Sequence, residues 1–142
     1  MKLSLKKINP QAILPTKKNP TDAGVDVYAC GFHILEPGVP KIIPIGWQVA
    51  NMDKGYQIEV RSRSGNTVER RFIVANQPGT IDNGYRGEIG IILVSLHEQV
   101  SIAHGDKIAQ LVPMLYHDCE ICVCDEITDT ERGANGFGSS GK

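Results

Sequence analysis

The feature that most constrains the fold is a series of short apolar segments with a two-residue period. Apolar and polar side chains alternate strictly through residues 56–60, and residues 88–94 form a longer apolar run. A period of two is that of a β-strand, whose successive side chains point to opposite faces. We therefore predict strands at both places, with 88–94 a central strand buried on both faces. Four further segments are predicted as strands: 25–28, 42–45, 108–115 and 121–123.

Turn-forming residues separate these segments, as in Glu36-Pro37-Gly38, Asp53-Lys54-Gly55 and His104-Gly105-Asp106. Many short strands divided by such turns are typical of a sandwich, barrel or jelly roll. Only residues 66–71 have helical character, with Ser64 or Asn66 as the expected N-cap. The predicted fold class is all-β, a jelly-roll-like β-barrel or sandwich with one short helix near 66–71.

The length of 142 residues fits one domain. No repeat or linker divides residues 1–130, which we predict to be a single β-domain. Residues 131–142 are rich in glycine and serine and carry one aromatic side chain, Phe137. This composition predicts a flexible C-terminal tail.

Charge limits the classes of partner. Lys plus Arg is 15 and Asp plus Glu is 16, giving a formal net charge of −1. A protein that holds nucleic acid by its backbone needs a basic excess, so no nucleic-acid partner is expected. No apolar run has the length of a signal peptide or a membrane span, so we expect a cytoplasmic protein with no membrane partner.

The cysteines allow two interpretations. Cys30 stands alone, whereas Cys119, Cys122 and Cys124 cluster within six residues. The cluster could bind a metal, but the usual zinc pattern has a second ligand pair. Alternation with Ile121 and Val123 favours a strand in which free cysteines are buried as small hydrophobic residues.

Five polar, glycine-containing segments lie between the apolar ones and contain the candidate chemistry: 22–26, 61–65, 79–88, 105–110 and 132–141. The second has two arginines and two serines before a glycine and a helix start. Backbone N–H groups at a helix start and arginine side chains bind anions, so this segment suits a phosphate. The alternative is a solvated turn with a capped helix.

Asp82, in the third segment, is the best candidate for a catalytic group. Its carboxylate follows an apolar position and precedes the Asn83-Gly84 turn, where it could orient a water molecule for attack. The alternative is that Asp82 only caps the turn. In the fifth segment, a flexible glycine-rich backbone can wrap phosphate oxygens, and Phe137 can stack on a base.

These five segments, in this order, resemble the five motifs of the trimeric dUTPase family. The resemblance extends from residue 23 to residue 141 and is closest over residues 76–88. It implies a jelly-roll fold and a homotrimer with three active sites at the subunit boundaries. One subunit would supply segments one, two and four, a second subunit segment three, and a third the C-terminal tail.

The resemblance also implies the reaction. The enzyme would hydrolyse dUTP to dUMP and pyrophosphate with Mg²⁺, which protects DNA from uracil and supplies dUMP for thymidylate synthesis. Asp82 would hold the water that attacks the α-phosphorus, and Tyr85 would pack under the deoxyribose and exclude a 2′-hydroxyl. Asp26 would act on the metal through water, with no direct protein ligand to the ion.

The remaining implied site residues bind the substrate. The uracil and deoxyribose would be read by Asn76, Gly79, Thr80, Ile81 and Tyr85. The phosphates would be bound by Arg63, Ser64, Gly65 and Gln110. The tail would contribute Arg132, Phe137, Gly138, Ser139 and Ser140.

The sequence departs from the family pattern at several positions. Ser62 stands where proline is common, which is expected to loosen the approach to Arg63. Asn66 and Thr67 replace a small apolar pair, and residues 69–71 are unusually charged. Two other functions remain open: a dCTP deaminase-like enzyme, which resembles the family in fold, and a dUTP-sensing or partner-binding trimer.

Overall fold

The computed structural model describes residues 1–69 and 72–136, and this part of the chain consists mainly of short strands. A strand forms where alternating side chains can bury one face, and a turn follows wherever the alternation stops. The elements, in chain order, are β1 (Leu3–Lys7), β2 (Val25–Tyr28), β3 (His33–Leu35), β4 (Lys41–Met52), β5 (Tyr56–Arg61), α1 (Ser64–Glu69), β6 (Phe72–Val74), β7 (Gly79–Ile81), β8 (Glu88–Ser95), β9 (Val100–Ile102) and β10 (Lys107–Leu115).

The strands form two four-stranded sheets with the orders β1-β4-β8-β6 and β2-β10-β5-β7, and β3 pairs with β9 in a separate ribbon. All of these pairs are antiparallel. A single apolar core takes side chains from both large sheets, among them Ile43, Ile58 and Leu111. The all-β prediction is confirmed.

Strand β8 shows why the prediction for residues 88–94 was only half correct. It lies between β4 and β6 and is therefore central, as predicted. Its side chains alternate, however: Ile89, Ile91 and Leu93 are buried, while Ile92 and Val94 on the opposite face are only partly covered. Burial on both faces is therefore wrong for the chain by itself, since residues 1–69 and 72–136 cover the outer face of this strand only partly.

The second sheet brings distant polar segments together. Strand β10 lies between β2 and β5, so that Gln110 is opposite Asp26 on one side and Arg61 on the other. Strand β7 pairs with the far edge of β5, where Thr80 is opposite Glu59. The polar segments 22–26, 61–65 and 105–110 therefore lie together in one part of the sheet. The segment 79–88 begins at the edge of the same sheet.

The short helix α1 begins earlier than predicted, at Ser64, and ends at Glu69 among the described residues. The Arg63 carbonyl accepts the first helical hydrogen bond, from the Thr67 N–H at 3.0 Å, so Arg63 occupies the cap position. The predicted N-caps, Ser64 and Asn66, are therefore wrong. Asn66 is instead buried inside the helix, and residues 70–71 of the predicted helix lie outside the described residues.

The predicted strand at residues 121–123 does not form. Ile121 and Val123 are 90% and 96% exposed, and Cys119, Cys122 and Cys124 are also exposed. A strand needs a neighbour to pair its backbone groups, and this segment has none within the described chain. The prediction of buried cysteines is wrong for this cluster, whereas Cys30, for which no burial was predicted, is buried. Within residues 1–69 and 72–136, no helix is long and apolar enough to cross a membrane.

Candidate active site

Asp26 lies at the centre of a cluster that joins three of the polar segments. It is only 4% exposed. Its Oδ1 accepts hydrogen bonds from Arg63 Nε at 2.9 Å and Gln110 Nε2 at 3.0 Å, and its Oδ2 lies 2.8 Å from Lys107 Nζ. A buried carboxylate is stable only with such partners. The cluster therefore fixes Arg63, Lys107 and Gln110 around one anionic group.

The electrostatics of this cluster favour the charged form of Asp26. Burial by itself raises the pKa of the Asp26 carboxyl, but the hydrogen bonds from Lys107 and Gln110 and the positive charge of Arg63 outweigh it and hold the pKa below its ordinary value. The hydrogen bond to Asp26 raises the pKa of Lys107. Two cations surround one carboxylate, so the cluster has a net positive charge that suits an anionic ligand.

Gly24 allows the cluster to close. A Cβ atom at this position would lie 2.8 Å from Gln110 Cδ, which is closer than side-chain carbons approach each other. The absence of a side chain at Gly24, immediately before β2, therefore makes room for the Gln110 amide to reach Asp26. Lys107 is positioned further by Tyr28, whose ring centroid is 5.9 Å from Lys107 Nζ.

A pocket of about 190 Å³ surrounds residues 76–85 and does not include Asp26. This segment and its pocket are called the hairpin and the hairpin pocket below, although β7 and β8 pair with strands of different sheets. Apolar and polar side chains both line it, a combination common in sites for small ligands. The lining residues are Val60, Asn76, Gly79, Thr80, Ile81, Asp82, Tyr85, Ile89, Gly90 and Ile92.

Hydrogen bonds fix the hairpin that carries this pocket. Asn83 Nδ2 donates to the carbonyls of Asp53 at 2.8 Å and Tyr56 at 3.1 Å, which anchors the turn to the β4–β5 connection. Tyr85 N–H donates to the Asp82 carbonyl at 3.0 Å, and Tyr85 OH donates to the Glu88 carbonyl at 2.9 Å. The Tyr85 ring is therefore held at both ends while 45% of the residue stays exposed.

Asp82 is exposed and lines two adjoining pockets, the one just described and a second that includes Gln57 and Tyr116. Within residues 1–69 and 72–136, its carboxylate has no hydrogen-bond or salt-bridge partner. Only its backbone carbonyl serves the turn. The alternative that the Asp82 side chain caps the turn is therefore not supported, and the carboxylate is available to a water molecule.

The predicted site residues fall into two groups within the chain. Asp26, Arg63 and Gln110 are in direct contact, with Ser64 and Gly65 next to them at the exposed start of α1. The second group shares the hairpin pocket: Asn76, Gly79, Thr80, Ile81, Asp82 and Tyr85. No member of the first group lines that pocket.

Of the predicted site residues in the tail, the structure describes only Arg132. Arg132 is exposed, and its Nε donates to the nearby Asn135 carbonyl at 3.0 Å. Phe137, Gly138, Ser139 and Ser140 lie outside the described residues.

The sequence did not single out Lys107 or the apolar pocket wall of Ile89, Gly90 and Ile92. Lys107 becomes significant only because β10 pairs with β2, a long-range pairing with no local signal. The wall residues did carry a signal, because residues 89–92 directly follow the Asp82 turn in an apolar strand. The residues on either side of a short turn lie close together, although β7 and β8 here belong to different sheets.

The expected effect of Ser62 is also wrong. Its N–H donates to Gln77 Oε1 at 3.1 Å, and its Oγ accepts from the Val74 N–H at 2.8 Å. A proline could make neither bond. Ser62 therefore attaches the segment before Arg63 to its neighbours and does not loosen it.

An antiparallel β-sandwich with a cationic cluster and a separate hairpin pocket for a planar group defines a class of nucleotide-binding β-proteins. Among family profiles, the one described as dUTPase matches residues 10–141. The chain belongs to the dUTPase family. This confirms the resemblance found in the sequence.

Curated relatives agree with this assignment. The deoxyuridine 5′-triphosphate nucleotidohydrolase of Nautilia profundicola is 40% identical, with 100% of each chain covered. That of Clostridium novyi is 43% identical, with 99% of each covered. Among solved structures, Staphylococcus bacteriophage 80alpha dUTPase with dUpNHpp has a TM-score of 0.87 at 27% identity, covering 99% of each chain. The likeness confirms the predicted jelly-roll-like β-fold.

Proposed function

We propose that this protein hydrolyses dUTP to dUMP and pyrophosphate, at active sites that are assembled from more than one copy of the chain. One observation carries the proposal: the cationic cluster around Asp26 and the hairpin pocket beside Asp82 are both intact, yet they are separate within one chain. A triphosphate and its nucleoside need both. A second copy of the chain would bring the pocket of one subunit to the cluster of another.

The hairpin pocket would bind the deoxyuridine. Asn76 and the backbone of residues 79–81 present hydrogen-bonding groups above an apolar wall that includes Ile89. Such a pocket reads the polar edge of uracil, and its walls exclude the thymine methyl. A cytosine amino group would leave buried polar groups wrongly paired, and such mismatches give strong discrimination.

Tyr85 would select the sugar. Because both its N–H and its hydroxyl are bonded within the hairpin, the ring cannot easily turn away from the pocket. A deoxyribose lying against the ring leaves no space for a 2′-hydroxyl. The pocket would therefore prefer dUTP to UTP.

Asp82 would act as the general base. Its carboxylate, which has no partner among residues 1–69 and 72–136, can accept a proton from a water molecule held beside the bound nucleotide. The water oxygen forms a bond to the α-phosphorus, and the bond from this phosphorus to the oxygen bridging to the β-phosphate breaks. Pyrophosphate leaves with the bonding electrons, and dUMP remains.

The cluster around Asp26 would hold the phosphates. Arg63 is positioned by Asp26 through its Nε, which leaves its terminal amino groups available for phosphate oxygens. Gln110, Ser64 and Gly65 would add neutral hydrogen bonds. Arg132, Phe137, Gly138, Ser139 and Ser140 would close over the nucleotide from the tail that follows the β-domain of residues 1–130.

The residues present fit a magnesium ion that is bound by the substrate. No group of three or more His, Cys, Asp or Glu side chains among the described residues could hold a metal. Both Asp26 oxygens already accept hydrogen bonds, so this carboxylate suits a water-mediated contact better than a direct one. Mg²⁺ usually keeps several waters and binds substrate phosphates, whose negative charge it would partly neutralise.

Two features support a homotrimer. Ile42 on β4 lies opposite Ile92 on β8, on the outer face of its sheet, and is 65% exposed. Ile92 also lines the hairpin pocket, so this apolar face is continuous with the proposed site. The C-terminal segment leaves Ile121, Val123 and Ile127 more than 89% exposed. Apolar surface of this kind marks contacts between chains.

Incubation with dUTP, dTTP, dCTP and UTP in the presence of Mg²⁺ tests the proposal, with pyrophosphate release and product identity as readouts. We expect dUMP and pyrophosphate from dUTP, with at most weak release from the others. Deamination of dCTP would replace the proposal with a deaminase. Binding of dUTP without turnover would replace it with a sensing protein.

A further inference from the structure

The segment 63–65 lies between two residues that differ from the family pattern, Ser62 and Asn66. Each makes tertiary hydrogen bonds rather than only local ones. Ser62 bonds toward the segment that leads to the hairpin pocket, and Asn66 bonds toward β10. The proposed phosphate-binding turn is therefore attached on both sides.

The hydrogen bonds of Ser62 reach the chain on both sides of the pocket residue Asn76. Its Oγ accepts from the Val74 N–H and its own N–H donates to Gln77 Oε1. Asn76 lies between those two bonded residues in the chain, and its amide packs against Gly79, where an added Cβ would be 3.1 Å from Asn76 Nδ2. The position of Asn76 thus depends on where Ser62 holds the chain on either side of it.

The Asn66 attachment closes a ring of contacts. Asn66 is 8% exposed, and its side-chain amide donates to the Lys107 carbonyl. The Lys107 ammonium is paired with Asp26, and Asp26 in turn accepts from Arg63. Because Arg63 caps the helix that contains Asn66, the ring connects α1, β10 and β2 and returns to the arginine.

We propose that Ser62 and Asn66 are positioning residues: Ser62 fixes the segment around Asn76, which would read the nucleoside, and Asn66 aligns the turn at Arg63 with the Asp26 cluster. This inference rests on the proposed phosphate-binding role of Arg63. Neither residue lines the hairpin pocket. We expect the two substitutions to affect the binding of different parts of the nucleotide. Ser62 bonds to the segment that leads to the hairpin pocket, whereas Asn66 bonds to Lys107 in the Asp26 cluster.

Two variants separate the roles. Ser62→Ala removes the acceptor for Val74, and Asn66→Leu fills the buried space without the donor to Lys107. A hydrogen bond of this kind changes an equilibrium by a factor of about 2 to 12. Asn66→Leu is expected to raise the Kd of dUpNHpp about fivefold while the Kd of dUMP changes less than about twofold. Ser62→Ala is expected to weaken dUMP and dUpNHpp about equally.

The controls are Asn51→Leu and Ser101→Ala, which make the same changes at exposed strand positions. Thermal unfolding of every variant separates a loss of stability from a change in the ratio of the two Kd values. Ser62→Thr keeps both the N–H and the hydroxyl and is expected to restore dUMP affinity. If Ser62→Ala does not fold, Gln77→Met removes the acceptor of the Ser62 N–H at an exposed position. If Asn66→Leu does not fold, Asn66→Ser removes the same amide donor to the Lys107 carbonyl with a smaller side chain.

A wild-type ratio of the two Kd values in Asn66→Leu and wild-type affinities for both ligands in Ser62→Ala, with normal dUTP hydrolysis by the parent protein, would overturn this inference and leave the proposed function standing. A parent protein that hydrolyses none of the four nucleotides would instead remove the proposed function. The two failures are therefore distinguishable in one set of measurements.

Discussion

Gln110 on β10 lies directly opposite Asp26 on β2 and donates a hydrogen bond of 3.0 Å to its carboxylate. Antiparallel pairing alone places the two residues side by side, and the absence of a side chain at Gly24 lets them meet. The same carboxylate holds Arg63 and Lys107. The donors that would bind phosphate are thus ordered in the free chain, which lowers the entropic cost of binding.

Asp82→Asn is expected to keep the affinity for dUpNHpp and to lower kcat for dUTP by about 10² to 10⁴, the usual contribution of a general base. The amide is nearly the same shape but cannot take the proton. Asp53→Asn, at another exposed position, is the control and should retain wild-type kcat. A parallel loss of analogue binding would assign Asp82 to substrate binding instead.

Tyr85→Ala is expected to reduce the preference for dUTP over UTP by at least about tenfold, because a steric barrier to the 2′-hydroxyl disappears. The ratio of kcat/KM values for the two nucleotides measures the effect. Tyr85→Phe keeps the ring and loses only the bond to the Glu88 carbonyl, so it should retain most of the preference. An unchanged ratio in Tyr85→Ala would show that another residue selects the sugar.

Much of this site was visible in the sequence because its residues are close together along the chain. The pocket residues from Asn76 to Tyr85 fall within one short segment of the chain, and turn residues mark it. The contacts of Lys107 and Asn66 could not be predicted in this way, since their partners are distant in the chain: Asp26 on β2 for Lys107, and Lys107 on β10 for Asn66. The false strand at 121–123 has the same cause: alternation shows that a segment can pair, but not whether its own chain provides a neighbour.

Ile42→Glu is expected to dissociate the proposed trimer, because a carboxylate would be buried without a partner at the contact between chains. Analytical ultracentrifugation should show monomers, and activity should fall with the assembly, since the proposed site takes residues from more than one subunit. Ile42→Val keeps the apolar surface and serves as the control. A stable trimer in Ile42→Glu would place the contact elsewhere on the chain.

Truncation after Glu131 is expected to leave a folded trimer whose kcat/KM for dUTP is lowered at least about tenfold, because closure over the substrate would be lost. The hydrogen bonds that Arg132 and Gly133 make among the described residues are local, so the Tm should hardly change. Circular dichroism and activity measured on the same preparation separate the outcomes. Loss of folding would make the tail a structural element.

Asp26 makes stability depend on pH in a defined direction. Its folded-state pKa lies below the unfolded value of 3.8, so folding favours the charged carboxylate. The stabilisation is complete above the unfolded pKa and is lost as pH falls through the folded pKa. Asp26→Asn should therefore be less stable than the wild type at pH 7, by about 1–3 kcal/mol, because Lys107 and Arg63 lose a charged partner.

Urea unfolding of both proteins between pH 7 and pH 2 measures this contribution. The difference in the free energy of unfolding should stay constant down to about pH 5 and then shrink as the wild-type carboxylate becomes protonated. Acidification removes the same interaction that the substitution removes, so the two curves should approach each other at the acid end. Curves that stay parallel throughout would show that Asp26 stabilises the fold by packing rather than by its charge.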